Sequence, residues 1–122
     1  MVENGDKKVY QITWTTQYKK NVKLAKKRKY NIEELEQVVY KLANAIPLEE
    51  KYKDHALEGN WKNHRELHIR PDWLLIYQIK DNILILELSR TGTHADLFKR
   101  YDYVPFLSNV FSKDFQPKRA IC

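Results

Sequence analysis

Residues 65–92 read RELHIRPDWLLIYQIKDNILILELSRTG, and this run decides the fold. From Arg65 to Ile69 the side chains alternate. His64, Glu66, His68 and Arg70 point one way, and Arg65, Leu67 and Ile69 the other, which is the two-residue period of a strand. Pro71-Asp72 breaks it. Trp73 to Ile79 is nearly continuous apolar, as a central strand should be. Lys80-Asp81-Asn82 is a turn, and Ile83 to Leu88 is a further strand, apolar on both faces. Three consecutive strands joined by tight turns must be antiparallel.

Upstream, Tyr10 to Trp14 alternates and reads as a first strand, paired at an edge of this meander. Thr15 and Thr16 can cap a helix carrying Tyr18, Val22 and Ala25 at helical spacing. Its outward face is basic: Lys19, Lys20, Lys23, Lys26, Lys27 and Arg28. Asn31 caps a second helix, with Glu34 reaching back in the capping-box manner, and Leu35, Val38, Val39 and Leu42 form one apolar stripe. Pro47 ends it. From Leu48 to Asn63 the periodicity fades into a loop. Downstream, Thr91-Gly92-Thr93 turns, and Thr93 with Asp96 can start a short helix. The expected fold class is therefore α+β: an antiparallel sheet with a two-helix hairpin on one face and the other face open, in the order β-α-α-β-β-β-α. Residues 1–98 form the domain. Residues 99–122 break character and form a C-terminal extension.

The chain has 122 residues, enough for one modest core, with a net charge of +6. That charge favours an anionic partner, nucleic acid or an acidic protein, although a lysine-rich face is also simply a solvated one. No stretch approaches the roughly 18 apolar residues that cross a membrane. Met1 to Asp6 lacks the apolar run of a signal peptide, and the single cysteine, Cys122, allows no internal disulfide, so a cytoplasmic location is expected.

All four histidines, His55, His64, His68 and His94, fall between Tyr52 and Phe98. Four residues of strand separate His64 from His68 by about 13 Å, too far for two zinc ligands, so neither metal nor cofactor is expected. Acid–base chemistry is the alternative. Cutting an RNA backbone takes a base for the 2′-hydroxyl, an acid for the leaving 5′-oxygen and positive charge for the crowded phosphorane. His68, Asp72 and His94 can supply the first two. Arg90, with Arg65 or Lys53, can supply the third.

The spaced motifs Tyr52-Lys-Asp-His55, Gly59-x-Trp61, Arg65-Glu-x-His68-x-x-Pro-Asp72-Trp73 and Arg90-Thr-Gly-Thr-His94-x-x-Leu-Phe98 resemble the YafQ branch of the RelE toxin superfamily. The resemblance implies a bacterial type II toxin, a ribosome-dependent mRNA endonuclease that needs no metal. It is held inactive by a cognate antitoxin, expected here as an acidic segment that folds over the basic helices. Carried over by motif, the site is His55, His68, Asp72, His94 and Phe98, with Arg90 at a phosphate-contacting position. The expected division has Asp72 and His68 on the 2′-hydroxyl side, His94 as acid, and His55 and Arg90 stabilising charge. The basic helix face would meet the 70S ribosome, which presents the mRNA. Two other readings stand beside this one. A non-catalytic ParE-like toxin would bind a partner such as gyrase, and a silenced relative would have its own tail in the site. His64 stands where such toxins commonly carry an aromatic residue and is assigned no role.

Overall fold

The computed structural model describes residues 8–98. The extension at 99–122, and with it the reading of a tail in the site, lies outside the described residues. Five strands, β1 (Gln11–Trp14), β2 (His55–Ala56), β3 (Arg65–Arg70), β4 (Trp73–Lys80) and β5 (Ile85–Gly92), form one sheet in the order β1-β5-β4-β3-β2. Between β1 and β2 lie the helices α1 (Thr16–Lys27) and α2 (Ile32–Ala43), and a single turn, α3 (His94–Leu97), follows β5.

The meander β3-β4-β5 is antiparallel, as its turns require. The edge pairing corrects the expectation of a wholly antiparallel sheet: β1 runs parallel to β5. The two helices supply the long crossover that parallel neighbours need, so the chain can return in the same direction. Two further corrections are local. The two-residue strand β2 emerges from the expected loop by pairing His55 with Glu66. Strand β5 starts two residues late and runs on to Gly92, because Asp81–Ile83 coils into a 3₁₀ turn and Leu84 takes a left-handed φ of 52°.

Thr15 caps α1 through the Tyr18 N–H, and Asn31 caps α2 through the Glu33 and Glu34 N–H groups. The Glu34 carboxylate does not close the expected box. It accepts instead from Arg70 Nε at 2.7 Å, tying α2 to β3. Both helices end in a Schellman motif with a non-glycine residue in the left-handed position. Lys29 (φ 65°) donates to the Lys26 carbonyl and Tyr30 to that of Ala25, while Ala45 (φ 54°) donates to Leu42 and Ile46 to Lys41. Helix α2 thus stops at Asn44, before Pro47 is reached.

The helices bury one sheet face. Tyr18, Ala25, Leu35, Val38 and Leu42 pack over Leu67, Ile69, Trp73, Leu75, Tyr77, Leu86 and Leu88. Each fully buried Leu here contributes about 1.5–3 kcal/mol. The second face is not bare as expected. It carries a smaller cluster of Leu57, Leu74, Ile76, Leu97 and Phe98, with Trp61 against it.

Candidate active site

Strand register assembles the site on that second face. Residues paired across strands share a face, so His55, Glu66, Ile76 and Arg90 make one row across β2, β3, β4 and β5, and His68, Leu74 and Gly92 the next. His94 enters two residues beyond Gly92, as the first residue of α3. Three histidines from three distant segments therefore converge. Ring centroids stand 6.3 Å apart for His55 and His68 and 6.1 Å for His68 and His94. The chain of rings continues from His94 to Phe98 at 5.9 Å, to Trp61 at 6.4 Å and to His64 at 5.2 Å.

His55 is held at both nitrogens. Nδ1 lies 2.7 Å from the Lys53 carbonyl, which can only accept, and Nε2 lies 3.2 Å from Glu66 Oε1. Glu66 is fully buried. A buried carboxylate is costly unless paired, and this geometry places at least one shared proton between it and the imidazole. With Nδ1 on a carbonyl and Nε2 on a carboxylate, both ring nitrogens of His55 are engaged. His68 sits half-buried with Nδ1 3.4 Å from the Pro71 carbonyl, at the edge of a hollow of about 550 Å³ lined by Lys51, Lys53 and Arg70.

His94 owes its position to a single helical turn. Gly92 enters it at φ 156°, where an added Cβ would stand 3.0 Å from Asp96 Oδ2. Thr93 and Asp96 then form a full capping box, the Thr93 N–H donating to Asp96 Oδ2 at 2.9 Å and the Asp96 N–H to Thr93 Oγ1 at 3.1 Å. The guanidinium of Arg28 beside Asp96, aided by those caps, holds its carboxyl down at about 2.

Other expected site residues fall elsewhere. Arg65 lies on the helix-covered face with Tyr77, its register partner, and both donate to Asp54 Oδ1, at 3.1 and 2.7 Å. It is therefore not part of the histidine row. Arg90 shares the row's face but is half-buried, and its Nε donates to Asn21 Oδ1 at 2.8 Å. Burial pulls its guanidinium below its ordinary value, with the Asp96 charge opposing. Exposed Asp72 borders a hollow of about 700 Å³ with Tyr30 and Trp73, which shares Glu34, Arg70 and Pro71 with the hollow beside His68. Phe98 is 4% exposed, so its ring acts as packing under His94 rather than as an open stacking platform. Lys19, Lys20, Lys23, Lys26, Lys27 and Arg28 are all exposed on α1 and its cap, and Arg28 is engaged with Asp96.

Sequence reasoning missed Glu66, Asn21 and the Arg28–Asp96 pair. Glu66 carried one available signal, a lone acid on the same side of β3 as two histidines. Among the described residues no group of three or more His, Cys, Asp or Glu side chains is arranged to hold a metal ion.

The chain is similar to known proteins. The mRNA interferase toxin YafQ of Escherichia coli K12 is 48% identical over 88 residues, which span 71% of this chain and 94% of that protein. The crystal structure of the E. coli DinJ–YafQ toxin–antitoxin complex matches with a TM-score of 0.67 at 46% identity, over 73% of this chain and 97% of the other. The crystal structure of a metal-bound toxin from Helicobacter pylori matches at 0.70 and 41% identity, over 74% and 100%. The family described as the bacterial toxin of the type II toxin–antitoxin system, YafQ, covers residues 10–99, and the chain belongs to it.

Proposed function

We propose that this toxin is an endoribonuclease that cuts mRNA on the translating ribosome by acid–base chemistry. The observation that carries this is the string of rings His55, His68 and His94, adjacent centroids about 6 Å apart, brought together from two strands and the turn after β5. In this reading His68, assisted from the neighbouring turn by Asp72, takes the proton of the 2′-hydroxyl. The oxygen then attacks the phosphorus, and His94 protonates the departing 5′-oxygen. The products are a 2′,3′-cyclic phosphate and a free 5′-hydroxyl. His55, held by Glu66, and Arg90, held by Asn21, offset charge on the phosphorane. Lys53 lines the hollow beside His68, where a flanking phosphate would lie.

The exposed lysines of α1 supply the sequence-independent attraction to ribosomal RNA. An acidic antitoxin segment that folds on binding would compete for that charge, in keeping with the DinJ-bound relative. No helix among the described residues is long and apolar enough to cross a membrane, and the proposed working compartment is the cytoplasm, where translation occurs.

Primer extension on an mRNA translated in a purified system tests this, with wild type and His94→Ala, each with and without ribosomes. The expected outcome is cuts within codons that need both ribosomes and His94, the variant losing about 10²- to 10⁴-fold in rate. A folded wild-type protein that arrests growth but leaves every transcript intact would overturn it.

A further inference from the structure

The nuclease reading uses His94 but leaves open what keeps it in place. Helix α3 has only four residues, and one turn of helix has no stability of its own. Its pose must come from side chains. Leu97 and Phe98 bury beneath it, but they fix its depth against the sheet more than its rotation. Asp96 ties the turn to α1. Its Oδ2 accepts from the Thr93 N–H at 2.9 Å and from Arg28 Nη1 at 2.8 Å, and its Oδ1 from Arg28 Nη2 at 3.2 Å.

Arg28 is itself anchored. It is the C-cap of α1, with its N–H on the Leu24 carbonyl. Its guanidinium carbon stands 6.0 Å from the Tyr30 ring, which packs on Trp73 at 4.9 Å. Trp73 belongs to the core of the helix-covered face and donates Nε1–H to Thr91 of β5 at 2.9 Å. A continuous path therefore runs from the main core through Arg28 and Asp96 to the turn that carries His94.

We infer that Arg28 and Asp96 form a latch that positions His94 for proton transfer. This rests on the nuclease reading for its effect on rate, though not for its effect on the His94 ring. Arg28 is thereby a positioning residue, its guanidinium engaged by Asp96, and not one more free cation on the ribosome-facing surface. The forked, two-point geometry matters, because a guanidinium fixes the carboxylate plane and an ammonium does not. Holding that plane sets the rotation of a turn in which His94 and Asp96 are only two residues apart.

The experiment uses the full chain with Arg28→Gln, Arg28→Lys and Asp96→Asn. Single-turnover cutting on translating ribosomes gives the maximal rate and the half-saturating ribosome concentration separately, and the His94 ring resonances are followed by NMR. The expected result for Arg28→Gln and Asp96→Asn is a maximal rate down about tenfold, half-saturation within about twofold of wild type and displaced His94 signals. Arg28→Lys should fall between wild type and Arg28→Gln. An unchanged maximal rate with raised half-saturation would make Arg28 a ribosome contact only and overturn the latch. So would His94 signals that stay where they are in wild type. If wild-type protein cuts nothing, the nuclease reading fails by itself, and the ring signals still decide the latch.

Discussion

The two faces of the sheet are built from the same strands by opposite rules. Under the helices, β3, β4 and β5 present Leu67, Ile69, Leu75, Tyr77, Leu86 and Leu88 to an apolar stripe, and packing does the work. On the other face the positions in between present Glu66, His68 and Arg90 around a small plug of Leu57, Leu74, Ile76, Leu97 and Phe98. The first face can lose a side chain only by opening a cavity. On the second, the half-buried imidazole of His94 can be removed without opening a core cavity, since the sheet is already stabilised from behind. Under the proposed function, stability and chemistry are thereby divided between opposite sides of one sheet.

That division predicts a double dissociation. His94→Ala should remove cutting by about 10²- to 10⁴-fold and leave the unfolding midpoint nearly unchanged. Leu75→Ala, at a site with no exposure, should lower stability by about 2–5 kcal/mol. Its rate per folded molecule should be preserved. Urea unfolding and primer extension on both variants check this. A His94→Ala protein that unfolds, or a folded Leu75→Ala protein that cannot cut, would dissolve the distinction between the faces.

The helix-covered face was legible in the sequence because its information is local. The stripe Leu35, Val38 and Leu42 and the Asn31 cap are read within three turns of chain. Of the motif residues named through resemblance, His55, His68 and His94 are brought together by the fold. What escaped was set by partners distant in sequence. The parallel pairing of β1 depends on where the helix pair lands. Glu66 in a strand looks like any outward-facing acid until His55 is seen beside it, and Arg65 looks like a site cation until Asp54 and Tyr77 claim it. Arg28 reads as one more member of a basic run because its partner lies 68 residues away.

A smaller effect belongs to the latch between the faces. Asp96 titrates at about 2, against 3.8 for a free aspartate, so its pairing adds stability above about pH 4 that is lost as pH falls through 2. With side-chain exposures of 36% for Arg28 and 21% for Asp96, solvent screening brings the contribution down to about 1 kcal/mol. Wild type and Asp96→Asn, compared by urea unfolding from pH 7 to pH 2, should differ at neutral pH and converge in acid. Other carboxylates titrate in both proteins and drop out of the difference. A gap as large at pH 2 as at pH 7 would mean that the aspartate acts through packing rather than charge.

The smallest effect tests whether stability can be raised from the helix side alone. Ala45 closes the Schellman turn of α2 at φ 54°, a region that strains any residue with a Cβ by about 1–2 kcal/mol. Glycine relieves that strain but gains freedom in the unfolded chain, which offsets part of it. The net for Ala45→Gly is a gain of about 0.5 kcal/mol, read as a shift in the urea midpoint. Ala45 follows α2 on the helix side of the sheet, and its N–H bonds back to Leu42 of α2. Cutting should therefore be unchanged. A stabilised protein with altered cutting would show that the helix layer sets the geometry of the histidines through the sheet, and that the latch is not the one path between them.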